Sequence, residues 1–183
     1  MKNTFTAVLL LIGTLSFAQV GDPFPSMEAE TLKNEFVTIP TDLSDKYTLI
    51  GLAYSKKSKQ YLKGWFDPVY NQFIYKPKTP SVFDINFDVH CSFIPMFTGA
   101  KRPAYQKVMD KLKKTIDKRV QPNILFYKGQ LKEYKEALNF KGKDTPYFFL
   151  LNPEGEIIYV TSGRYTQAKM QEITDKGRET MIN

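Results

Sequence analysis

The sequence predicts one α/β domain with a mixed central sheet and helices on both faces, and three segments carry this prediction. A nearly continuous apolar run of strand length, typical of a strand buried on both faces, covers Tyr47–Tyr54. Apolar residues at helical spacing, with lysines on the opposite side, occupy Pro103–Arg119. A turn joins two strand-like segments, Tyr147–Leu151 and Ile157–Thr161, as in a hairpin.

The first half of the chain contains two further elements. An irregular opening at Gly21–Pro25 precedes a short aromatic and β-branched strand at Phe36–Ile39. Helical apolar spacing follows in Ser55–Tyr75, although Pro68 must bend or restart that helix. The order of elements is therefore strand, strand, then helix.

The second half adds four more predicted elements. Strict alternation over Phe83–Cys91 predicts a strand whose apolar side chains share one side: Phe83, Ile85, Phe87, Val89 and Cys91. We also predict a strand at Asn123–Tyr127 and a short helix at Leu131–Leu138. A terminal helix is predicted over Thr166–Met181, with Thr166 as its N-cap.

The N-terminus has the composition of a secretory signal peptide. A lysine precedes an uncharged run at Thr4–Leu15, and small residues follow at Ser16 and Ala18. The apolar run is too short to cross roughly 30 Å of hydrocarbon as a helix. We therefore expect residues 1–18 to be a signal peptide and Gln19 to begin an exported chain. An uncleaved N-terminal anchor is the alternative.

The remaining residues, 19–183, are enough for one domain with its own core, in the periplasm or cell envelope. One cysteine, Cys91, and one histidine, His90, predict neither an internal disulfide nor a metal site, and no cofactor motif occurs. The formal net charge is +7, without any nucleic-acid-binding signature. The densest basic cluster lies in the helix Pro103–Arg119, which predicts at most weak contact with a membrane surface.

Three segments, taken in order, resemble the thioredoxin-like superfamily in the form found in peroxiredoxins and extracytoplasmic thioredoxins. They are the opening Gly21–Pro25 with Thr31–Val37, the run Leu43–Tyr54, and the segment Thr145–Ile157. The resemblance implies a three-layer fold with an N-terminal β-hairpin. The segment Tyr147–Tyr159, followed by Ser162 and Gly163, is also similar to the ending of the mitochondrial ATP-synthase assembly chaperone family.

The sequence departs from the redox members of that superfamily at their active site. Those proteins carry a Cys-x-x-Cys pair or a peroxidatic cysteine where the strand matching Tyr47–Tyr54 meets the next helix. Here that place reads Tyr-Ser-Lys-Lys-Ser-Lys-Gln, and no cysteine precedes Cys91. A serine hydroxyl has neither the acidity nor the redox couple of a thiol. The sequence therefore excludes the usual dithiol reaction.

Cys91 is the one candidate thiol. We expect it to be buried on the apolar face of its strand, as free cysteines usually are. His90 points to the opposite face, so the two do not form a nucleophile pair within a regular strand. We expect His90 to contact a polar residue of the same strand: Asp84, Asn86 or Asp88.

A binding surface is predicted at the end of the first buried strand. The resemblance implies a cis Thr145–Pro146 peptide bond beside Tyr54 and Ser55, exposing backbone groups that pair with an extended polypeptide. Ser58 belongs to the same place, although Ser55 and Ser58 are better interpreted as helix-capping residues than as nucleophiles. The predicted binding residues are thus Tyr54, Ser55, Ser58, Thr145 and Pro146.

Three functions remain open at this point. The first is a non-enzymatic module that binds a polypeptide or assists assembly in the cell envelope. The second is a thiol enzyme that uses Cys91 with an external reductant. The third is a lipid-surface protein that uses the basic helix. Exposure of Cys91 discriminates the first two, and salt-dependent vesicle binding marks the third.

Overall fold

A seven-stranded mixed sheet forms the middle layer of the computed structural model, which describes residues 20–75 and 88–182. The strands are β1 (Met27–Thr31), β2 (Phe36–Ile39), β3 (Tyr47–Ala53), β4 (Val89–Thr98), β5 (Leu125–Gly129), β6 (Tyr147–Leu151) and β7 (Ile157–Ser162). Their order across the sheet is β2-β1-β5-β4-β3-β6-β7. Strand β4 runs parallel to β3 and β5, and every other pair is antiparallel. The predicted N-terminal hairpin is β1–β2.

In the described part of the chain, five α-helices flank the sheet: α1 (Lys56–Lys63), α2 (Phe66–Val69), α3 (Tyr105–Thr115), α4 (Lys132–Ala137) and α5 (Gln167–Ile182). A single π-helical turn at Tyr70–Ile74 continues α2, and 3-10 turns cover Thr41–Leu43, Gly99–Ala104 and Gln121–Asn123. Thr166 accepts a hydrogen bond from the backbone N–H of Lys169 (3.3 Å), in agreement with its predicted role as the cap of the last helix.

Strand β3 is buried on both faces, as its apolar run predicts. Leu49 and Ala53 face a first core that also contains residues of α1, α2, α3 and α5. Ile50 and Leu52 face a second core, which is closed by α4 and the N-terminal segment. Helices therefore cover both faces of the sheet, and the predicted three-layer α/β fold is confirmed.

Trp65 attaches the link between α1 and α2 to the β6–β7 edge of the sheet. Its side chain is fully buried and packs on Phe148 of β6, with 4.0 Å between ring centroids. The indole N–H donates to the carbonyl of Gly163 (3.1 Å), just beyond β7. Because the apolar ring and the polar N–H are both satisfied, Trp65 is a core residue rather than part of an exposed aromatic surface.

Strand β4 corrects the predicted strand Phe83–Cys91. Within the described residues it begins at Val89 and continues to Thr98, well past Cys91; Phe83, Ile85 and Phe87 lie outside the described residues. The strand tolerates Pro95 because its pairing with β5 is interrupted there. The bridges Phe93–Ile124 and Met96–Tyr127 share one register, and no pairing is formed between them, where proline lacks the N–H.

The basic helix is shorter than its predicted range, Pro103–Arg119. A 3-10 turn includes Pro103, α3 begins at Tyr105, and Ile116 already has an extended backbone. In the two described stretches, 20–75 and 88–182, no helix combines the length and apolar character needed to cross a membrane. The predicted signal peptide, residues 1–18, lies outside the described residues.

We expect Gly51→Val to destabilise the domain by about 1–3 kcal/mol, the usual effect of overpacking a core. A Cβ atom at Gly51 would lie 2.7 Å from Phe148 Cε1 and 2.9 Å from Leu62 Cδ1, at the contact between β3, β6 and α1. Gly142→Ala is the control, because its Cβ would come no closer than 3.4 Å to Thr145 Oγ1. Equal free energies of unfolding for the two variants in urea would contradict this packing.

Candidate functional site at the end of strand β3

The chain leaves the sheet at Ala53 and enters α1 through Tyr54 and Ser55. This is the place where redox relatives carry their catalytic cysteines, according to the resemblance. A polar group here stands at the carboxyl end of a central strand and at the start of a helix, where backbone N–H groups are unpaired. What fills this place decides which chemistry the protein can perform.

Two serines fill it, and each caps the other. The Ser55 hydroxyl accepts from the backbone N–H of Ser58 (2.9 Å), and the Ser58 hydroxyl accepts from the backbone N–H of Ser55 (2.8 Å). The Ser58 hydroxyl also donates to the carbonyl of Ser55 (3.2 Å). Both side chains are buried, and Ser58 is fully so. Their spacing equals that of a Cys-x-x-Cys pair, yet both hydroxyls are occupied by the cap, as the N-cap interpretation predicted.

The Tyr54 side chain is also buried in the interior. Its ring stacks on Phe140 at 5.4 Å between centroids, and Phe140 stacks in turn on Tyr147 at 4.5 Å. Burial raises the pKa of the Tyr54 hydroxyl to about 12, so it stays neutral at physiological pH. Its carbonyl accepts from Nζ of Lys101 (2.7 Å).

Two lysines at this site were not singled out by the sequence analysis. Lys59, in the first turn of α1, places Nζ 3.6 Å from the centroid of the Phe97 ring at the end of β4. Burial, and then the charge of nearby Lys101, lower the pKa of Lys59 to about 8. The sequence signal was the lysine one position after the second serine, but only the β3–β4 pairing brings it to Phe97 and Lys101.

The predicted cis bond at Thr145–Pro146 is wrong. That bond is trans, and within residues 20–75 and 88–182 the cis bond is Ile39–Pro40. The trans isomer is the one that X-Pro bonds intrinsically favour. The loop before this bond is closed by the Tyr147 hydroxyl, which accepts from the N–H of Gly142 (2.6 Å) and donates to the carbonyl of Gly142 (3.0 Å).

The end of β3 and the start of β6 nevertheless lie side by side, because Leu52 pairs with Tyr147. Pro146 is buried, and its carbonyl accepts from the N–H of Gly163 (2.9 Å). The carbonyls of Tyr54 and Pro146 therefore both accept hydrogen bonds within the chain, and the bond on which the predicted groove rested is trans. Thr145 is half-buried beside Pro146.

Cys91 lies in the first core, as predicted, with 4% of its surface exposed. Burial raises the pKa of its thiol far above the ordinary value, which favours the protonated form. His90 contacts Asp45 (2.8 Å) rather than a residue of its own strand, because the parallel register sets it beside Thr48, just after the loop that holds Asp45. Of the predicted partners, Asp88 pairs with Lys46, and Asp84 and Asn86 lie outside the described residues.

The arrangement is thus a closed serine cap flanked by two cations. In the described part of the chain, no group of three or more His, Cys, Asp or Glu side chains is placed to hold a metal ion. The site offers neither a thiolate nor a serine activated by a base, since His90 lies near the opposite end of the parallel strands.

The depressed pKa of Lys59 predicts a pH-dependent contribution to stability. The folded protein releases this proton near pH 8, whereas the unfolded chain holds it to about its ordinary value of 10.5. The unfolded state therefore binds more protons between these values, and stability rises with pH across that window. We expect Lys59→Met to be more stable than wild type at about pH 7, and this advantage to shrink by about pH 10. A thermal-unfolding difference that does not change with pH would contradict the assignment.

The fold is shared with several solved structures. BsSco, a member of the Sco family of cytochrome c oxidase assembly proteins, is 10% identical and has a TM-score of 0.57, over 91% of this chain and 99% of BsSco. A thiol peroxidase from Chromobacterium violaceum is 10% identical with a TM-score of 0.54, over 89% and 90%. StoA from Bacillus subtilis is 19% identical with a TM-score of 0.50, over 84% and 98%.

These likenesses establish the thioredoxin-like fold that the sequence predicted. A comparison with curated protein sequences gives no significant match. The sequence model of the ATP10 protein family matches residues 21–178, which span all seven strands and most of the last helix. This match covers most of the chain. The chain therefore belongs to the ATP10 protein family, on a thioredoxin-like fold.

Proposed function

We propose that this chain is an exported assembly factor that binds a protein partner without thiol chemistry. The reciprocal cap of Ser55 and Ser58 carries the proposal. It occupies the position of the redox pair with two hydroxyls that are buried and hydrogen-bonded to the backbone. A thioredoxin-like fold that has given up its reactive group keeps its scaffold for binding.

The assembly role is supported by family and fold. The chain belongs to the ATP10 protein family. Its segment Tyr147–Tyr159, with Ser162 and Gly163, is similar to the ending of the mitochondrial ATP-synthase assembly chaperones. BsSco, with the same fold, belongs to a family of cytochrome c oxidase assembly proteins. We infer that the partner is likewise a protein, and that it is a subunit awaiting incorporation into a membrane complex.

Export is proposed on the N-terminal sequence. The uncharged run Thr4–Leu15, followed by Ser16 and Ala18, has the pattern of a cleaved secretory signal. The partner then meets this chain in the periplasm or cell envelope.

The thiol-enzyme alternative needs an accessible Cys91. With 4% exposure and a thiol whose pKa burial raises, Cys91 has the surroundings of a small core residue. The choice between the two functions therefore becomes a test of whether Cys91 is dispensable.

The test is complementation in the cells that produce the protein. We expect deletion of the chain to reduce the amount of one assembled envelope complex, with an unassembled subunit of that complex recovered on the tagged protein after cross-linking. Wild type and Cys91→Ala should restore assembly equally. N-terminal sequencing of the recovered protein should begin at Gln19. A normal complement of envelope complexes after deletion, or restoration by wild type but not by stably folded Cys91→Ala, would contradict the proposal.

A further inference from the structure

A groove of about 470 Å³ lies between α1 and α3, over strands β4 and β5. Its floor and walls are apolar and comprise Leu62, Phe66, Pro95, Leu112, Ile116 and Ile124. This volume is within the range of roughly 300–1,000 Å³ for ligand sites in proteins. The groove is separate from the serine cap, although both share Lys59.

Four lysines line the rim of this groove: Lys56, Lys59, Lys63 and Lys111. Among the described residues, no acidic side chain lines the groove and none of the four lysines forms an ion pair. The side chains of Lys56, Lys63 and Lys111 are exposed. An apolar trough between unpaired cations favours an occupant that is both apolar and anionic.

The positions of the cations indicate the shape of that occupant. Lys56, Lys59 and Lys63 stand at i, i+3 and i+7 on one face of α1, and so extend over about 10 Å of helix. Lys111 faces them from α3, beside Leu112. A single-headed amphiphile has one anionic group and would leave most of this row unpaired. A helix with carboxylates at the same spacing matches the row along its length.

The groove floor also argues for a helix over an extended strand. Strands β4 and β5 lie inside the sheet, so neither offers a free edge for strand addition. Pro95 has no N–H to donate, and most of the other lining residues belong to the helices α1, α2 and α3. Such a surface suits the helix-in-groove mode, in which an amphipathic helix buries its apolar face.

We propose that the groove between α1 and α3 binds an amphipathic, acidic α-helix of a partner polypeptide. The inference rests on the proposed function, because it names the partner segment and the surface that an assembly factor of this kind would use. Apolar side chains of the helix enter between Leu62, Leu112 and Ile116, and its flanking carboxylates face the lysine row.

The test uses two fluorescent peptides of about 18 residues, long enough for five helical turns. They share one leucine face, and their flanking residues are glutamate in one and lysine in the other. We expect the acidic peptide to bind the wild-type chain, and added salt to weaken that binding. Lys56→Glu/Lys63→Glu/Lys111→Glu should weaken it by about tenfold or more. Fluorescence anisotropy measures the binding of the peptide, its salt dependence and the effect of the triple variant.

Two further variants separate the groove from the overall charge and the fold. Lys132→Glu/Lys135→Glu/Lys141→Glu makes the same change in net charge on exposed residues in and after α4, on the opposite face; binding should change by no more than about twofold. Val108→Trp fills the groove without changing charge and should also weaken binding, with circular dichroism confirming that the variant is folded.

Several results would overturn the inference. These are no binding of the acidic peptide to wild type, equal binding of the basic peptide, or equal losses in the two triple variants. If the acidic peptide does not bind and sodium laurate binds with the same lysine dependence, the groove is a lipid site. In cells, capture of the partner by the variant Lys56→Glu/Lys63→Glu/Lys111→Glu would contradict the groove as the binding site and would leave the proposed function unaffected.

Discussion

The burial of β3 on both faces is the constraint on which the rest of the structure depends. It places a strand of seven residues between a parallel and an antiparallel neighbour, with one core on each side. Gly51 allows Phe148 and Leu62 to approach the strand closely, so α1 starts at a fixed height above the sheet. The position of Ser55 and Ser58 at the helix start is a consequence of this packing.

The serine cap gives the site its chemical character. A thiolate at a helix N-terminus is stabilised by unpaired N–H groups, and this makes the position reactive in redox proteins. Here Ser55 and Ser58 use the same N–H groups for a structural purpose. The remaining polar feature is cationic, since Lys59 and Lys101 stand next to the cap and three further lysines line the adjacent groove. The position that carries a thiol in redox proteins is thus occupied here by a hydroxyl cap with lysines beside it.

The sequence predicted the features that depend on hydrophobic patterning or on the absence of a reactive residue type. The apolar runs in β3, β6 and β7 have the length and the bounding turns of strands, and the absence of cysteine before Cys91 needs no structure. Burial of Cys91 followed from its apolar strand neighbours. The cis bond implied by the resemblance was wrong, and Pro146 has the trans isomer that most X-Pro bonds adopt. The Asp45–His90 contact and the continuation of β4 through Pro95 were not predictable from the sequence, because both depend on strand register.

The most direct test of the central claim, a thioredoxin-like fold without thiol chemistry, is an insulin-reduction assay with dithiothreitol. Ser55→Cys/Ser58→Cys, which restores thiols at the cap and N3 positions of α1, serves as the internal positive control. We expect no turnover by wild type or by Cys91→Ala, and measurable turnover by the double-cysteine variant. Turnover by wild type that disappears in Cys91→Ala would contradict the claim, because it would assign catalysis to the thiol that the structure places in the core.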